Sequence, residues 1–106
     1  MYKEIVVLAR STKRGGYCIA GVDTITGEWI RPISNDVLNE GAVPLSDITY
    51  RNGERIEIFD IVKIKLTSYN PTKSQPENYI YDSSEKWEKI GKSSLKEIIN
   101  FRGYDT

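Results

Sequence analysis

The fold is decided by the stretch DIVKIKLTS at residues 60–68, which carries the clearest alternation of apolar and polar side chains in the chain. The inward positions are Val62, Ile64 and Leu66, and the outward positions are Lys63, Lys65 and Thr67. Because successive side chains of a strand point to opposite faces, this pattern predicts a half-exposed β-strand. Asp60 falls in phase with the inward set. We expect the ladder to break near Phe59 rather than to bury this carboxylate.

The segment N-terminal to this strand has the pattern of a three-stranded meander. A β-branched run predicts a buried strand within residues 3–11, and the glycines at 15–16 supply the backbone freedom for a tight reversal. Returning strands follow at 17–23 and 28–33. Pro32 has no N–H to donate, so the third strand should lie at an edge of the sheet or end there.

The remaining segments predict short elements joined by turns. We expect a helical turn capped by Asn35, a hairpin at Asn52–Gly53, strands at 79–81 and 87–90, and a C-terminal helix over 93–102. Ser94 and Glu97 form the capping box of that helix. About six short strands with few helices favour a barrel or sandwich, and a closed barrel removes exposed strand edges.

Composition narrows the class of protein. The 106 residues suit one domain. The single cysteine excludes an internal disulfide, and the 39% apolar content is enough to form a core without one. Fifteen basic residues balance fifteen acidic ones, which argues against an indiscriminate DNA binder. The early apolar run at 5–9 is far below the roughly 18 residues of a membrane span, and no leader pattern precedes it. We therefore expect a cytoplasmic protein that does not enter the membrane.

The chain contains no histidine, which removes the usual activation of serine and cysteine nucleophiles and, with one cysteine, ordinary structural zinc sites. The acidic residues of the middle segment show no recognised metal-binding spacing; they are Asp36, Glu40, Asp47, Glu54, Glu57 and Asp60. We expect no catalytic residues, no bound metal and no cofactor. A carboxylate-dependent metal enzyme remains the third hypothesis.

The first reversal offers a candidate anion site. Lys13 and Arg14 stand beside the backbone amides of the two glycines, an arrangement that suits a phosphate, although a solvent-facing hairpin has the same pattern. Cys18 lies in the next strand. We expect it to pack in the core as a small hydrophobe, the alternative being a thiol whose pKa the two cations lower.

Two further segments carry side chains that suit nucleic acid. Trp29 and Arg31 share a strand face, where they could stack on a base or hold a phosphate, but core burial of the tryptophan is the alternative. Gln75, Glu77 and Asn78 surround a proline and could contact base edges, unless they only stabilise their own loop.

The strings GGYCIAG at 15–21 and WIRPIS at 29–34, with ARSTK at 9–13 and QPEN at 75–78, resemble the dual OB-containing domain family of bacteria. The resemblance spans about residues 3–90. It implies OB-type barrels that bind nucleic acid or nucleotides, often in bacterial conflict and defence systems. It also implies ligand contacts at matching motif positions, namely Ser11, Lys13, Cys18, Arg31, Gln75 and Asn78. Family members are usually longer, so we expect an N-terminal part or a short variant.

Together these observations predict a mainly β fold, a small OB-like or SH3-like barrel with a C-terminal helix, over residues 1–106 as one domain. The leading hypothesis is a module that binds single-stranded nucleic acid or a nucleotide. Lys13, Arg14 and Arg31 would contact phosphates, Trp29 or Tyr17 would stack on a base, and the 75–78 segment would supply hydrogen bonds. The rival is an accessory module that pairs with a protein partner or a second copy through an edge strand, for which the strand ending at Pro32 is the candidate.

Overall fold

The computed structural model describes residues 1–13, 15–35 and 40–94 of the chain. Its strands are β1 (Tyr2–Lys13), β2 (Gly16–Asp23), β3 (Trp29–Ile33), β4 (Asp60–Tyr69), β5 (Asn78–Tyr81) and β6 (Glu88–Lys92), with a 3-10 helix at Leu45–Ile48. The mainly β prediction is confirmed. The predicted C-terminal helix lies outside the described residues from residue 95 onward, and so does the turn capped by Asn35 from residue 36 onward.

Five of the strands close into a barrel. β1 pairs antiparallel with β2, and β2 pairs antiparallel with β3. β3 then runs parallel to β5, β5 pairs antiparallel with β4, and β4 returns to β1. β6 adds to the first half of β4 on the side away from β1. The closed barrel that the short strands predicted is therefore confirmed, and its ring leaves no open edge among these five strands.

The core fills the inside of this ring. It contains the inward side chains of β4 together with residues of every other barrel strand and of the connecting segments. Its members are Ile5, Val7, Ile19, Ile30, Val43, Ile48, Tyr50, Ile56, Val62, Ile64, Leu66, Tyr81 and Trp87. The alternation read from residues 60–68 thus identifies the buried face of β4 correctly. Among the described residues, no helix has the length and apolar character to span a bilayer.

Of the two alternatives for β3, the edge position is wrong, whereas the strand does end close to the proline, at Ile33. β3 sits between β2 and β5, and Pro32 is buried. The pairing with β2 involves Trp29 and Ile30 only, so it ends before the proline. On the other side, Arg31 N donates to Glu77 O at 3.0 Å. Backbone N–H groups alternate sides along a strand, so the nitrogen of Pro32 faces β2. The ladder with β2 has already ended there, and the N–H that proline lacks is not needed.

Two glycines explain how the first hairpin fits the barrel. Gly15 has a φ of +67°, the left-handed conformation that the reversal needs. Gly21 lies opposite an irregularity in β1 between Val7 and Ala9, and a Cβ there would stand 2.1 Å from the carbonyl oxygen of Val6. The irregularity opposite Gly21 is therefore a bulge in the partner strand β1. It brings two backbones close together.

The second predicted hairpin is reduced to a turn. Gly53 has a φ of +89°, and Tyr50 N donates to Glu54 O at 2.7 Å, so the chain reverses where the Asn52–Gly53 pair indicates. The flanking residues form only an isolated bridge, between Thr49 and Arg55. Their side chains, including Tyr50 and Ile56, pack into the core instead of extending the sheet.

Candidate functional site

Outward side chains of β1, β2, β3 and β5 form one continuous surface, which we call the β3 face. Along β3, Ile30 and Pro32 are buried, so Trp29, Arg31 and Ile33 project to the outside. The face comprises Ala9, Ser11, Cys18, Ala20, Trp29, Arg31, Ile33, Asn78 and Ile80. Strand pairing therefore brings together residues that lie far apart in the sequence.

Arg31 occupies the centre of the β3 face and is held by two neighbours. Its Nε and Nη2 donate to Glu77 Oε1 at 3.3 and 3.2 Å, and both side chains are 21% exposed. Its Nη1 is within hydrogen-bonding distance of Cys18 Sγ. The guanidinium thus links β2, β3 and the segment before β5. Because Glu77 balances its charge, a phosphate at Arg31 would have to compete with a carboxylate.

Cys18 does not pack in the core, so that prediction is wrong. The inner face of β2 is formed by Tyr17 and Ile19, and Cys18 between them points outward and is partly exposed. Ser11 is its direct partner on β1 and is exposed on the same face, since directly opposite residues share a side of the sheet.

Trp29 is also not a core residue, although burial was an open alternative. The tryptophan is 43% exposed. It borders a cleft of about 330 Å³ that is also lined by Ala9, Ala20, Arg31 and Glu77. Ala9 and Ala20 pair directly across β1 and β2, and their small side chains leave a shallow depression beside the indole. A flat group could lie there against the ring.

The loop between β4 and β5, at 70–77, borders a larger groove of about 500 Å³. Gln75 N donates to Thr72 Oγ1 at 3.0 Å, and Asn78 Nδ2 donates to Gln75 Oε1 at 3.1 Å. The ring of Tyr69 packs against Tyr79, with 4.9 Å between centroids. The loop is therefore stabilised by its own side chains, as one alternative proposed, while Gln75 and Asn78 still line the groove.

The first reversal contributes Lys13 to the same groove. Its Nζ donates to the carbonyl oxygen of Glu40 at 2.8 Å, so the ammonium is held at the rim by the backbone. Arg14 lies outside the described residues. Gly16 approaches the chain at Val43 so closely that a Cβ would stand 2.4 Å from the Val43 carbonyl oxygen. The glycine pair thus serves both the reversal and the packing of the barrel end.

Several groove residues were not identified from the sequence. They are small polar residues from the segment after β3 and from the β4–β5 loop, namely Ser34, Asn35, Asn70, Thr72 and Ser74. Each segment alone looks like an ordinary polar loop. The parallel pairing of β3 with β5 brings the two segments together, and no local pattern in the sequence indicates that pairing.

A second polar cluster lies away from the β3 face. Asp60 is fully buried, and its Oδ2 accepts from Tyr50 Oη at 2.7 Å and from Glu57 N at 3.0 Å. Lys89 and Lys92 approach Oδ1 at 3.5 and 3.4 Å. Burial by itself raises the pKa of Asp60, but the hydrogen bonds and the lysines together hold that pKa below its usual value.

The expected break near Phe59 and the burial of Asp60 therefore occur together, although the sequence analysis treated them as alternatives. Phe59 has a φ of +74°, and β4 begins at the next residue. The carboxylate is buried because neighbouring donors compensate its desolvation. Among the residues that the structure describes, no group of three or more acidic or cysteine side chains is placed to hold a metal ion.

A closed five-stranded barrel of this connectivity, with an outward face on β2 and β3 between the β1–β2 and β4–β5 loops, defines a small domain of the OB type. The sequence profile of the dual OB-containing domain matches residues 3–105, and the chain belongs to this family. No curated protein and no solved structure matches the chain.

Proposed function

We propose that the chain binds single-stranded nucleic acid, or a nucleotide, on the β3 face. The observation that carries this proposal is the 43% exposure of Trp29 beside Arg31 and the cleft next to them. OB-type barrels bind oligonucleotides on the face of strands 2 and 3, between the β1–β2 and β4–β5 loops. In this chain, that position carries an indole, a guanidinium and hydrogen-bonding side chains.

Base stacking supplies most of the affinity in this proposal. A base laid on the Trp29 ring would fill the depression above Ala9 and Ala20, and stacking contributes about 1–3 kcal/mol per base. Stacking depends little on which base is present, because every base has a π-face. The β3 face should therefore bind single strands in preference to duplexes, whose bases are already stacked.

Phosphate contacts play a smaller part. Lys13 stands at the rim of the groove, and Arg31 is paired with Glu77 at 3.2 Å. A contact of Arg14 with phosphate stays a prediction. Since the chain has no net charge, we expect weak binding with a modest dependence on salt.

A fluorescence titration tests the proposal. Trp87 is 2% exposed and Trp29 is 43% exposed, so quenching by an added oligonucleotide reports mainly on Trp29. Single-stranded RNA and DNA of mixed sequence should quench it, and the effect should weaken as salt rises. Affinity is measured in parallel from the anisotropy of a labelled oligonucleotide.

Two variants sharpen the test. Trp29→Phe should keep most of the affinity, because phenylalanine also stacks, whereas Trp29→Ala should lose about 5- to 150-fold. Arg51→Ala is the matched control, since Arg51 is exposed and lines neither the cleft nor the groove. Absence of binding by the wild-type chain to RNA, DNA and free nucleotides would remove the proposal.

A protein-interaction module is the second candidate, and β6 favours it. Among the described strands β6 pairs with β4 alone, and Ile90 on it is 48% exposed. An unpaired strand edge can add a strand from a partner or a second copy. Light scattering that gives a dimer, together with null oligonucleotide titrations, would favour this function over the first.

The proposal describes binding without catalysis, in agreement with a sequence that has no histidine. A cytoplasmic location and a setting in a bacterial conflict system stay predictions. The second would be supported if the genes beside this one encode nucleases or other effectors.

A further inference from the structure

The groove beside the β4–β5 loop has a described lining that is unusual for a nucleic-acid site, because it is mostly uncharged. Its polar side chains are hydroxyls and carboxamides from Ser34, Asn35, Asn70, Thr72, Ser74, Gln75 and Asn78. Among the residues that the structure describes, the charged ones on its border are Lys13 and Glu40, and the Lys13 ammonium is bound to the Glu40 carbonyl oxygen. The groove therefore offers hydrogen bonds rather than a concentrated positive charge.

Asn78 provides the most specific observation. Its side chain is 3% exposed, and its Oδ1 has no hydrogen-bond partner among the described residues. Buried carboxamide oxygens are nearly always paired in folded proteins, so an unpaired one calls for an explanation. A ligand in the groove that donates a hydrogen bond to Asn78 Oδ1 would explain it. The phosphodiester oxygens of a nucleic-acid strand only accept hydrogen bonds at neutral pH, so a backbone phosphate could not satisfy this atom.

Gln75 completes a pair of complementary groups. Its Oε1 accepts from Asn78 Nδ2 at 3.1 Å, which leaves its Nε2 group as a donor. Asn78 Oδ1 and Gln75 Nε2 therefore present an acceptor and a donor from two carboxamides that touch each other. The hydrogen-bonding edges of nucleobases present a donor next to an acceptor in the same way.

The floor of the groove suits the face of a base. Ile33 and Ile80 are direct partners in the β3–β5 ladder, and both line the groove and are partly exposed. A volume of about 500 Å³ falls within the range of about 300–1,000 Å³ that is usual for small-ligand sites. A flat, largely apolar ring could lie on the two isoleucines with its edge toward the carboxamides.

We infer that this groove holds one unstacked nucleobase by its hydrogen-bonding edge, with Asn78 Oδ1 accepting from a base N–H and Gln75 Nε2 donating to the neighbouring acceptor. This inference rests on the proposed function and adds a selective contact to it. Trp29 and Ile33 are four residues apart on β3, or about 13 Å at 3.3 Å per residue. Stacking at Trp29 and base reading in the groove are therefore separate contacts along one strand.

A double-mutant cycle between the protein and the oligonucleotide tests the inference. Labelled six-nucleotide single strands with an abasic residue at each position in turn are titrated against the wild-type chain and Asn78→Leu, which keeps the size but cannot accept a hydrogen bond. In the wild type, two abasic positions should reduce affinity by about 5- to 150-fold beyond the others, one for the base stacked on Trp29 and one for the base in the groove. In Asn78→Leu the loss at the groove position should disappear, and the loss at the Trp29 position should remain.

Controls separate the groove from the rest of the face. Trp29→Ala should lower affinity for every hexamer while keeping the Asn78-dependent abasic position. Adenosine or cytidine, which carry no phosphate, should compete for the groove, and inorganic phosphate should not. If Asn78→Leu does not fold, as judged by its melting curve, Gln75→Ala replaces it and should abolish the same positional loss.

The outcomes distinguish the two proposals. Identical abasic profiles for the wild type and the groove variants, with binding still dependent on Trp29, would overturn the base pocket and leave the β3-face proposal standing. Competition by inorganic phosphate but by none of the nucleosides would overturn it as well. Failure of every hexamer to bind would remove both proposals.

Discussion

The buried carboxylate of Asp60 should make the stability of this barrel depend on pH, and Asp60→Asn should reveal how much. Asp60 is 0% exposed and accepts hydrogen bonds from Tyr50 Oη and Glu57 N at 2.7 and 3.0 Å. Hydrogen bonds to charged groups contribute about 1.5–3 kcal/mol each. Lys89 and Lys92 add less, since their side chains are 34% and 49% exposed and can turn to water.

The expected loss of stability follows from these contacts. Asp60→Ala removes both hydrogen bonds and leaves the Tyr50 hydroxyl unpaired, so it should cost about 3–5 kcal/mol. At about 4–8 °C per kcal/mol for a domain of this size, the melting temperature should fall by more than about 12 °C. Asp60→Asn keeps an acceptor oxygen and should cost less than the alanine variant.

The direction of the pH effect follows from the lowered pKa of Asp60. A carboxylate whose pKa is lower in the folded state stabilises the fold above its unfolded pKa of about 3.9. That contribution is lost as the pH falls through the folded pKa. Wild-type stability should therefore decline below about pH 4. In Asp60→Asn the decline should be smaller, and Asp23 and Asp82, whose pKa values are also lowered, account for part of what remains.

Urea unfolding at pH 7 and at pH 3.5, followed by circular dichroism, measures these effects. Glu57→Gln is the matched control, because Glu57 pairs with the same Lys92 at 3.2 Å but is 65% exposed. It should cost less than about 1 kcal/mol, as exposed ion pairs do. Equal unfolding midpoints for Asp60→Asn and Glu57→Gln, together with equal pH dependence, would refute the assignment of this stability to the buried carboxylate.

Three further predictions concern packing and charge. Gly21→Ala should destabilise the barrel by about 1–3 kcal/mol in urea unfolding, because its Cβ would meet the Val6 carbonyl oxygen at 2.1 Å. Gly91→Ala is the control and should have almost no effect, since nothing lies within 4 Å of the Cβ it would add. Trp87→Ala should lower the free energy of unfolding by about 3–5 kcal/mol, because Trp87 is buried in the core at 2% exposure. Trp29 is 43% exposed, so an equal loss of stability for Trp29→Ala would contradict its outward position. The logarithm of oligonucleotide affinity should fall with the logarithm of salt concentration at a slope of about −0.7 per phosphate contact, so two contacts give about −1.4. A slope steeper than about −4 would contradict the proposal, because it would require far more phosphate contacts than Lys13, Arg14 and Arg31 can make.

The local parts of the fold could be predicted from the sequence. Alternation at 60–68 identified the buried face of β4, and the glycines at 15–16 identified the first reversal. Both signals act between neighbours in the chain, where side-chain period and backbone conformation are determined by few residues. The position of β3 could not be predicted in this way. Its parallel pairing with β5 joins residues more than forty positions apart, and the proline at 32 favoured an edge.

The candidate residues were predictable as types but not as a surface. Trp29, Arg31, Gln75 and Asn78 were each selected for their chemistry, and the structure brings them onto one face. The orientation of Cys18 was wrong because its apolar neighbours on both sides made burial on either face plausible. Only the ladder, which pairs Cys18 with the exposed Ser11, decides which side it faces.

The pairing of Arg31 with Glu77 connects the two parts of the proposed site. Glu77 belongs to the segment just before β5, so its ion pair at 3.2 Å and the backbone bond from Arg31 N to Glu77 O at 3.0 Å both hold that segment against β3. Gln75 and Asn78 stand on either side of it, and their mutual hydrogen bond shapes the groove. A phosphate that took Glu77's place at Arg31 would break one of these two attachments and leave the other. A phosphate bound at Arg31 would therefore loosen the segment before β5 without unfolding the loop, because the backbone bond between β3 and Glu77 does not depend on the charge of either side chain.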